Sequence, residues 1–582
     1  MASTQSPVMI PAHLKPFVVE QHYERYTPID QAVWRYVMRQ CVHRLKDTAH
    51  DIYVKGLAAT GIGVDRIPDV AHMNECLSRF GWGAVTISGV IPTGVFLDFQ
   101  AHGLLPVSAD IRRLEHLAYT PAPDILHETA GHAPIIADPS YAAFLKLFGE
   151  LGARAFSSKA DHALYEATRK LSIVKEDKAA TREAIAAAEA ELVEAQSAMV
   201  TPSEATQVGR LYWWTVEYGL IGDLDAPKIY GAGILSSMGE SILCLTDAVR
   251  KVPFSLEGCL ATSFDITTYQ PQLFVAESFD QLIEAVETLK AEMAWIKGGT
   301  SGLLTALDSG HVGTVVLSSG LQVSGLVAEV LQDAGGEAAY FRTDGPTALA
   351  VGDRELPGHG VATHLHGFGT PIGRVRGAQA PLETLSDDQL AGLGLVVGQP
   401  ATLTFESGVT VTGTVTGLRR DDGLLTLVSF EGCTVRFGDR VLFEPDWGTF
   451  DMGVGATITS VFAGAADKAR FEGSVYQPSD MDLPVHALDD QERHLQALYG
   501  EVRALREAVP AASELEKRLV AVIVALDAGH PRDWLCRLEV LELLEAHGLD
   551  PAAQAHLRRA LSALQTDAAH QELIGNGLAL LG

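Results

Sequence analysis

Tyr119-Thr120-Pro121-Ala122-Pro123-Asp124-Ile125-Leu126-His127-Glu128-Thr129-Ala130-Gly131-His132-Ala133-Pro134 is the stretch on which the reading of this chain turns. Thr120 reads as the cap of a helix whose first turn tolerates Pro121 and Pro123, because N–H groups there lack intrahelical partners anyway. Asp124 suits the positive end, and Pro134 is expected to stop the helix soon after His132. One short helix then carries two histidines, at i and i+5. On an ideal α-helix of 3.6 residues per turn they point about 140° apart. A zinc-protease H-E-x-x-H puts its histidines four apart on one face. The zinc-hydrolase template therefore fails as written, although the pair can share a metal if His132 sits at the helix end.

A second helix supplies a carboxylate. Thr201-Pro202-Ser203-Glu204 reads as a capping box with proline at the first helical position. The helix it opens runs through Leu211-Tyr212-Trp213-Trp214-Thr215-Val216-Glu217-Tyr218-Gly219. Glu217 sits in an almost wholly apolar and aromatic run. It must be paired, protonated or metal-bound, since burying a free charge is costly. Two neutral imidazoles and a carboxylate form the facial triad of non-haem Fe(II) oxygenases, which leaves positions for O2 and water. Singly, each residue has a bland reading: a structural histidine, or a glutamate paired with arginine.

Composition bounds the rest. The 582 residues suggest three or four domains. A formal net charge of -29, from 44 Lys+Arg against 73 Asp+Glu, opposes nucleic acid and anionic membrane surfaces as partners. No apolar run approaches the ~18 residues of a membrane span, and no secretion signal is read in residues 1–17. Cys41, Cys76, Cys244, Cys259, Cys433 and Cys536 are scattered without a C-x-x-C pair, which fits a reducing cytoplasm.

Residues 29–58 read as one long helix, and helical patterns continue to about Lys297. Within them, 158–200 is rich in Ala, Glu and Lys and reads as one or two exposed helices, a protruding hairpin. From about 300 the chain turns to Gly, Val and Thr with short alternating runs. Ser319-Gly320-Leu321-Gln322-Val323-Ser324-Gly325 is echoed by Ser407-Gly408-Val409-Thr410-Val411-Thr412-Gly413, and Gly352-Asp353-Arg354-Glu355-Leu356 by Gly438-Asp439-Arg440-Val441-Leu442, at offsets of 88 and 86 residues. Two similar β-barrel-like modules follow from that spacing. Residues 484–582 return to amphipathic helix and read as a small bundle. Gly367-Phe368-Gly369-Thr370-Pro371-Ile372-Gly373 is glycine-rich, but its last gap is one residue too long for a dinucleotide fingerprint. The expected architecture is multidomain: a mainly α catalytic domain (10–300), tandem β-rich modules (301–480) and a C-terminal helical domain (484–582).

The same stretches, with Tyr230-Gly231-Ala232-Gly233-Ile234-Leu235-Ser236-Ser237-Met238-Gly239-Glu240, Tyr269-Gln270-Pro271 and Phe274-Val275-Ala276-Glu277-Ser278, resemble the pterin-dependent aromatic amino acid hydroxylases over about residues 15–297. The resemblance implies that His127, His132 and Glu217 ligate Fe(II). It implies a tetrahydropterin near Gly89, Val90 and Ile91, stacked on Phe96, with Glu128 and Tyr212 close to pterin and iron. It implies that Arg112, buttressed by Asp124, holds the substrate carboxylate. Thr120, Pro121, Pro123, Trp213, Gly233, Ser236 and Glu240 match its substrate-pocket region. The implied reaction uses O2 and tetrahydrobiopterin or a related tetrahydropterin to hydroxylate a free aromatic amino acid, phenylalanine first, in the cytoplasm. Tryptophan or a modified amino acid is the alternative substrate. A metal-dependent hydrolase and a scaffold protein reusing the core are the alternative functions. The helical insertion or the C-terminal half would serve a homo-oligomer or protein partner.

Overall fold

The computed structural model describes residues 8–89, 91–117, 124–176, 180–198, 202–266, 268–471, 488–566 and 568–581. The first half is mainly helical, the middle is β-rich and the end is helical.

The expected single helix over 29–58 is two. α1 is Pro28–Leu45, and a second helix begins only at Tyr53. Thr27 starts α1 with a reciprocal box: its hydroxyl accepts from Asp30 N–H at 3.2 Å, and the Asp30 carboxylate accepts from Thr27 N–H at 2.8 Å. The break comes where the backbone finds other partners. Thr48 Oγ1 donates to the Arg44 carbonyl, Ile229 N–H donates to the Thr48 carbonyl, and His50 N–H donates to the Ile229 carbonyl. A local turn and a bridge to a strand thus replace helical bonds.

β1 (Gly83–Ile87) and β2 (Leu104–Ser108) form a buried parallel pair flanking α2 (Thr93–Ala101). Residues 158–200 hold α3 (Lys159–Glu176) and α4 (Arg182–Ser197), which pack on each other through Ala167, Leu171, Ala188, Leu192 and Ala195. Asp161, at the base of α3, accepts hydrogen bonds from Ser158, Ser203 and Thr206, which ties the pair to α5 (Glu204–Tyr212). α6 (Ala232–Leu235) is a short buried turn. β3 (Leu220–Ile221), β4 (Lys228–Ile229), β5 (Arg250–Pro253) and β6 (Gln272–Ala276) make a small sheet in the order β4-β3-β6-β5.

α7 (Gly299–Ser309) leads into the β-rich part, and Leu303 and Ala306 join its core. One sheet holds β7 (Val312–Leu317), β8 (Leu321–Gln332), β9 (Ala338–Val351), β10 (Arg354–Glu355) and β11 (Gly369–Pro371). A second holds β12 (Pro400–Thr404), β13 (Val409–Asp421), β14 (Leu424–Phe437), β15 (Arg440–Phe443) and β16 (Phe450–Gly453). The repeated sequence words fall on matching hairpin turns. Gly352 and Asp353 turn β9 into β10, Gly438 turns β14 into β15, and all three hold φ near +60°. β17 (Ile458–Ala463) then crosses back to pair with β7 of the first sheet. Both hydrogen-bonded paths are open ones.

The last part is α8 (Asp490–Ala508), α9 (Ala512–Gly529), α10 (Leu535–Ala546), α11 (Pro551–Leu564) and α12 (Ala568–Ala579). It shares one hydrophobic core with α1: Trp34, Tyr36 and Val37 lie in the same cluster as Val502, Leu526 and Leu541. The Tyr36 hydroxyl donates to the Leu573 carbonyl at 2.6 Å. Arg35 of α1, with its side chain 7% exposed, lies 2.6 Å from Glu539 and from Glu542 of α10. Among the described residues no helix is long and apolar enough to cross a membrane, and all six cysteines are free and buried.

Candidate active site: two imidazoles and a carboxylate on paired π-turns

The site begins with a departure from α-helical geometry. His127–His132 is π-helical, as is Trp213–Glu217. Ala133 N–H donates to the Glu128 carbonyl, and Tyr218 N–H to the Trp213 carbonyl at 2.8 Å, each five residues back. In that pattern residues five apart stack, and such turns recur at functional sites. The i,i+5 histidines therefore share a face: their ring centroids lie 5.0 Å apart. One expectation about the ends of this helix changes, at Pro134. Asp124 performs a capping role, its Oδ1 accepting from His127 N–H at 3.1 Å. Thr120 lies outside the described residues, as do Pro121, Pro123 and Val90. Pro134 does not stop the helix, since Ala133–Ile136 continues it. The proline only removes one i→i−4 bond, where the ladder has already widened.

The second π-turn ends α5, and here too the start differs from expectation. The cap is Ser203, accepting from Thr206 N–H at 3.0 Å. Glu204 is engaged elsewhere, accepting from Phe156 N–H at 3.0 Å and Ala294 N–H at 2.7 Å.

The two turns face each other. His132 Nε2 lies 3.2 Å from Glu217 Oε1, and His127 Nε2 3.3 Å from Glu217 Oε2. Glu128 is beside them, its Oε2 3.8 Å from His132 Nε2, and it too can bring an oxygen within 4.8 Å of donor atoms of both histidines. Ligands ~2.1 Å from a common ion stand roughly 3.0–3.5 Å apart, so the Glu217 separations suit one cation. Both nitrogens of His132 and Oε2 of Glu128 are buried without a hydrogen-bond partner, an arrangement that costs free energy unless something occupies it. Burial works against a charge on His127, but the Glu217 carboxylate outweighs it and raises the imidazole to about 9. Burial likewise opposes ionisation of Glu217, and the two imidazoles overcome it and hold its carboxyl well below the usual range. Burial pushes Glu128 up. The pocket thus favours positive charge between the three side chains.

Close backbone approach sets the frame. A Cβ on Gly131 would lie 2.6 Å from the Ala232 carbonyl oxygen, and one on Gly233 2.8 Å from the Tyr218 ring. Ser236, at the end of α6, lies 3.1 Å from His127 Nδ1.

Arg112 and Asp124 are both buried and form a bidentate pair, Nε and Nη2 each 2.9 Å from a carboxylate oxygen, with Arg112 N–H on the same carboxylate. Asp124 therefore joins Arg112 to the histidine turn. Phe96, on α2, has its centroid 6.5 Å from both His132 and Tyr212. Ile91 is buried with Phe99 and Leu104, and Phe96 packs against that cluster. Gly89 has a positive φ of 58° with open space where a side chain would stand. Trp213 stacks on Phe264 at 4.4 Å and packs against a tilted Tyr218 at 4.6 Å. Glu240 is buried, with Oε1 accepting from Gln270 N–H at 3.3 Å.

Sequence reasoning passed over two glutamines. Gln100 Nε2 donates to the Tyr212 hydroxyl at 2.8 Å, and Gln270 Oε1 accepts from Trp213 Nε1 at 3.3 Å. Gln100 follows Phe96 by four, one helical turn on the same face. Gln270 sits inside a motif already singled out.

The pattern described as "Biopterin-dependent aromatic amino acid hydroxylase" matches residues 21–192 and 185–295. The chain is 32% identical over 271 residues to a phenylalanine-4-hydroxylase of Chromobacterium violaceum, covering 46% of this chain and 76% of that protein. It is 30% identical over 270 residues to a phenylalanine-4-hydroxylase of Caulobacter vibrioides, covering 46% and 77%. Among solved structures it is similar to the Chromobacterium violaceum phenylalanine hydroxylase with bound iron(III) and 7,8-dihydrobiopterin, at 30% identity, 48% and 86% coverage and a TM-score of 0.38.

Proposed function

From the premise that the chain belongs to the biopterin-dependent aromatic amino acid hydroxylases, we propose that it hydroxylates a free aromatic amino acid, phenylalanine first, using O2, a tetrahydropterin and ferrous iron held by His127, His132 and Glu217. The observation that carries this reading is the convergence of two imidazole nitrogens on the two oxygens of Glu217 at 3.2 and 3.3 Å, in a pocket where the buried His132 nitrogens have no hydrogen-bond partner. Three protein donors of this kind suit non-haem iron and leave one face open.

When bound, iron and tetrahydropterin together supply the activation of O2. The protein's part is positioning. A bound tetrahydropterin would stack on Phe96 near Gly89, Val90 and Ile91, with Glu128 and Tyr212 close to pterin and iron. Gln100 fixes the Tyr212 hydroxyl. Arg112 has its Nε/Nη2 edge committed to Asp124, and we assign its Nη1 edge to the substrate carboxylate. That contact orients the amino acid relative to the histidine turn, because Asp124 also holds His127 N–H. Trp213, Gly233, Ser236 and Glu240, with Thr120, Pro121 and Pro123, are assigned to the wall around the substrate side chain. The Phe264 ring stacked on Trp213, with Tyr218 tilted against it, gives that wall an apolar aromatic face that excludes water.

The test is incubation of iron-loaded protein with a tetrahydropterin and each amino acid in turn, following pterin oxidation and identifying hydroxylated product by mass spectrometry. Coupled turnover of phenylalanine to tyrosine is expected. Turnover of tryptophan alone would replace the substrate, and no coupled product from any amino acid would overturn the reading.

A further inference from the structure

A second group of imidazoles and a carboxylate stands in the β-rich part, outside the hydroxylase site. His359 and His364 lie on the loop between β10 and β11 of the first sheet, and Asp451 on β16 of the second. One donor atom from each comes within 4.8 Å of the other two. His359 Nδ1 is 3.2 Å from His364 Nε2 and 3.8 Å from Asp451 Oδ2.

The scaffold holds each residue separately. β9 pins the loop at both histidines: Leu349 N–H donates to the His359 carbonyl at 2.9 Å, and Thr347 N–H to the His364 carbonyl at 3.1 Å. Asp451 is in register with Ser429 of β14. The Ser429 hydroxyl donates to Asp451 Oδ1 at 2.6 Å, which leaves Oδ2 directed at the imidazoles. A hydroxyl bonded to one carboxylate oxygen is how ligating carboxylates are oriented.

A hydrogen bond between the two histidines explains the 3.2 Å separation but not the carboxylate. At 3.8 Å, Asp451 Oδ2 is too far from His359 Nδ1 for a hydrogen bond. The 3.2 Å distance falls within the roughly 3.0–3.5 Å that separates ligands sharing an ion, and the 3.8 Å distance lies just beyond it. The side chains of His359 and Asp451 are 17% and 12% exposed, so an ion can enter and yet be largely enclosed. Two imidazoles with a single carboxylate favour late first-row transition ions over Mg²⁺ or Ca²⁺.

We infer that His359, His364 and Asp451 form a second divalent transition-metal site, of the zinc class, that clips the loop of one β-sheet to a strand of the other. Water completes its coordination.

The experiment uses the full chain, stripped of metal and titrated with Zn²⁺ alone. The wild type is expected to take up two equivalents, and Asp451→Asn and His364→Ala one each. His132→Ala, which removes the hydroxylase site instead, is also expected to take up one. A measurement free of substitutions accompanies it: Zn²⁺ is expected to protect His359 and His364 of the wild type from diethyl pyrocarbonate, read by peptide mass spectrometry. Uptake of one equivalent by the wild type, two by Asp451→Asn, or unprotected His359 and His364 at saturating Zn²⁺ would overturn the assignment.

Discussion

Ser236 Oγ lies 3.1 Å from Nδ1 of His127 and 2.8 Å from the Ala232 carbonyl oxygen, to which it donates its proton. The hydroxyl can then only accept from the ring. His127 is therefore fixed with hydrogen on Nδ1, which leaves Nε2 as the nitrogen facing Glu217 and free to ligate an ion between them. Ser236→Ala is expected to weaken ferrous-iron affinity by about 10–100-fold while leaving activity recoverable at high iron. Ser236→Thr, which keeps the hydroxyl, is expected to lose less. Activity titrated against free Fe(II) measures both, and an unchanged affinity in the alanine variant would remove Ser236 from the site.

Gly131 is the point where the histidine turn meets α6. Its absent side chain allows the approach to Ala232, since an added Cβ would stand 2.6 Å from a carbonyl oxygen and 2.9 Å from the Ala232 Cβ. The obstruction is largely backbone and cannot swing aside. Gly131→Ala is expected to destabilise the protein by about 1–3 kcal/mol and to separate the histidines from Glu217. Denaturant unfolding and an iron titration should worsen together. Loss of stability with intact iron affinity would mean that the turn tolerates the shift.

Which of these relations could be read from the sequence follows from their range. The apolar run around Glu217 marked a carboxylate in need of a partner, and the 88- and 86-residue offsets marked a repeat, read as two β-barrel-like modules, whose repeated words fall on hairpin turns of two open sheets. Those are local signals. The π-turns are not, because Thr129, Ala130 and Gly131 carry no propensity that separates α from π geometry. The i,i+5 spacing consequently read as a misfit. Ser203 caps α5, and Glu204 is engaged by Phe156 and Ala294, far away in sequence. The return of β17 to β7 and the meeting of Asp451 with His359 and His364 likewise join distant segments, and no spacing rule reports them.

Glu240 offers a pH test. Its Oε2 is buried without a partner, and burial pushes the carboxyl from its ordinary 4.5 up to about 7, against the lowering effect of the Gln270 N–H. The folded state therefore holds this proton more tightly than the unfolded state. The resulting stability is complete below pH 4.5, declines as pH rises, and is gone above about 7. Glu240→Gln cannot titrate. Its stability relative to the wild type is expected to increase across that window by on the order of 3 kcal/mol, since each tenfold change in proton affinity corresponds to about 1.4 kcal/mol. Parallel stability curves for the two proteins from pH 4 to 8 would show that Glu240 ionises normally.

The contact between Arg35 and α10 decides what removal of the C-terminal half should do. Arg35 is nearly enclosed, with Glu539 and Glu542 both 2.6 Å from its Nη1, and Arg506 of α8 bridges the same two carboxylates. Around that network the α1 face of Trp34, Tyr36 and Val37 belongs to one core with α8, α9 and α10. Removing a partner from a buried ion pair costs about 3–5 kcal/mol, and truncation after Lys297 would also bare an apolar helix face on the domain that carries the histidine turn. The truncated chain is expected to be insoluble or to unfold at markedly lower denaturant, although every proposed catalytic side chain is retained. Glu542→Ala in the full chain isolates the electrostatic part and should lower stability without changing KM for the amino acid. A soluble, fully active fragment ending at Lys297 would mean that α1 can hold its fold without the helices that cover it.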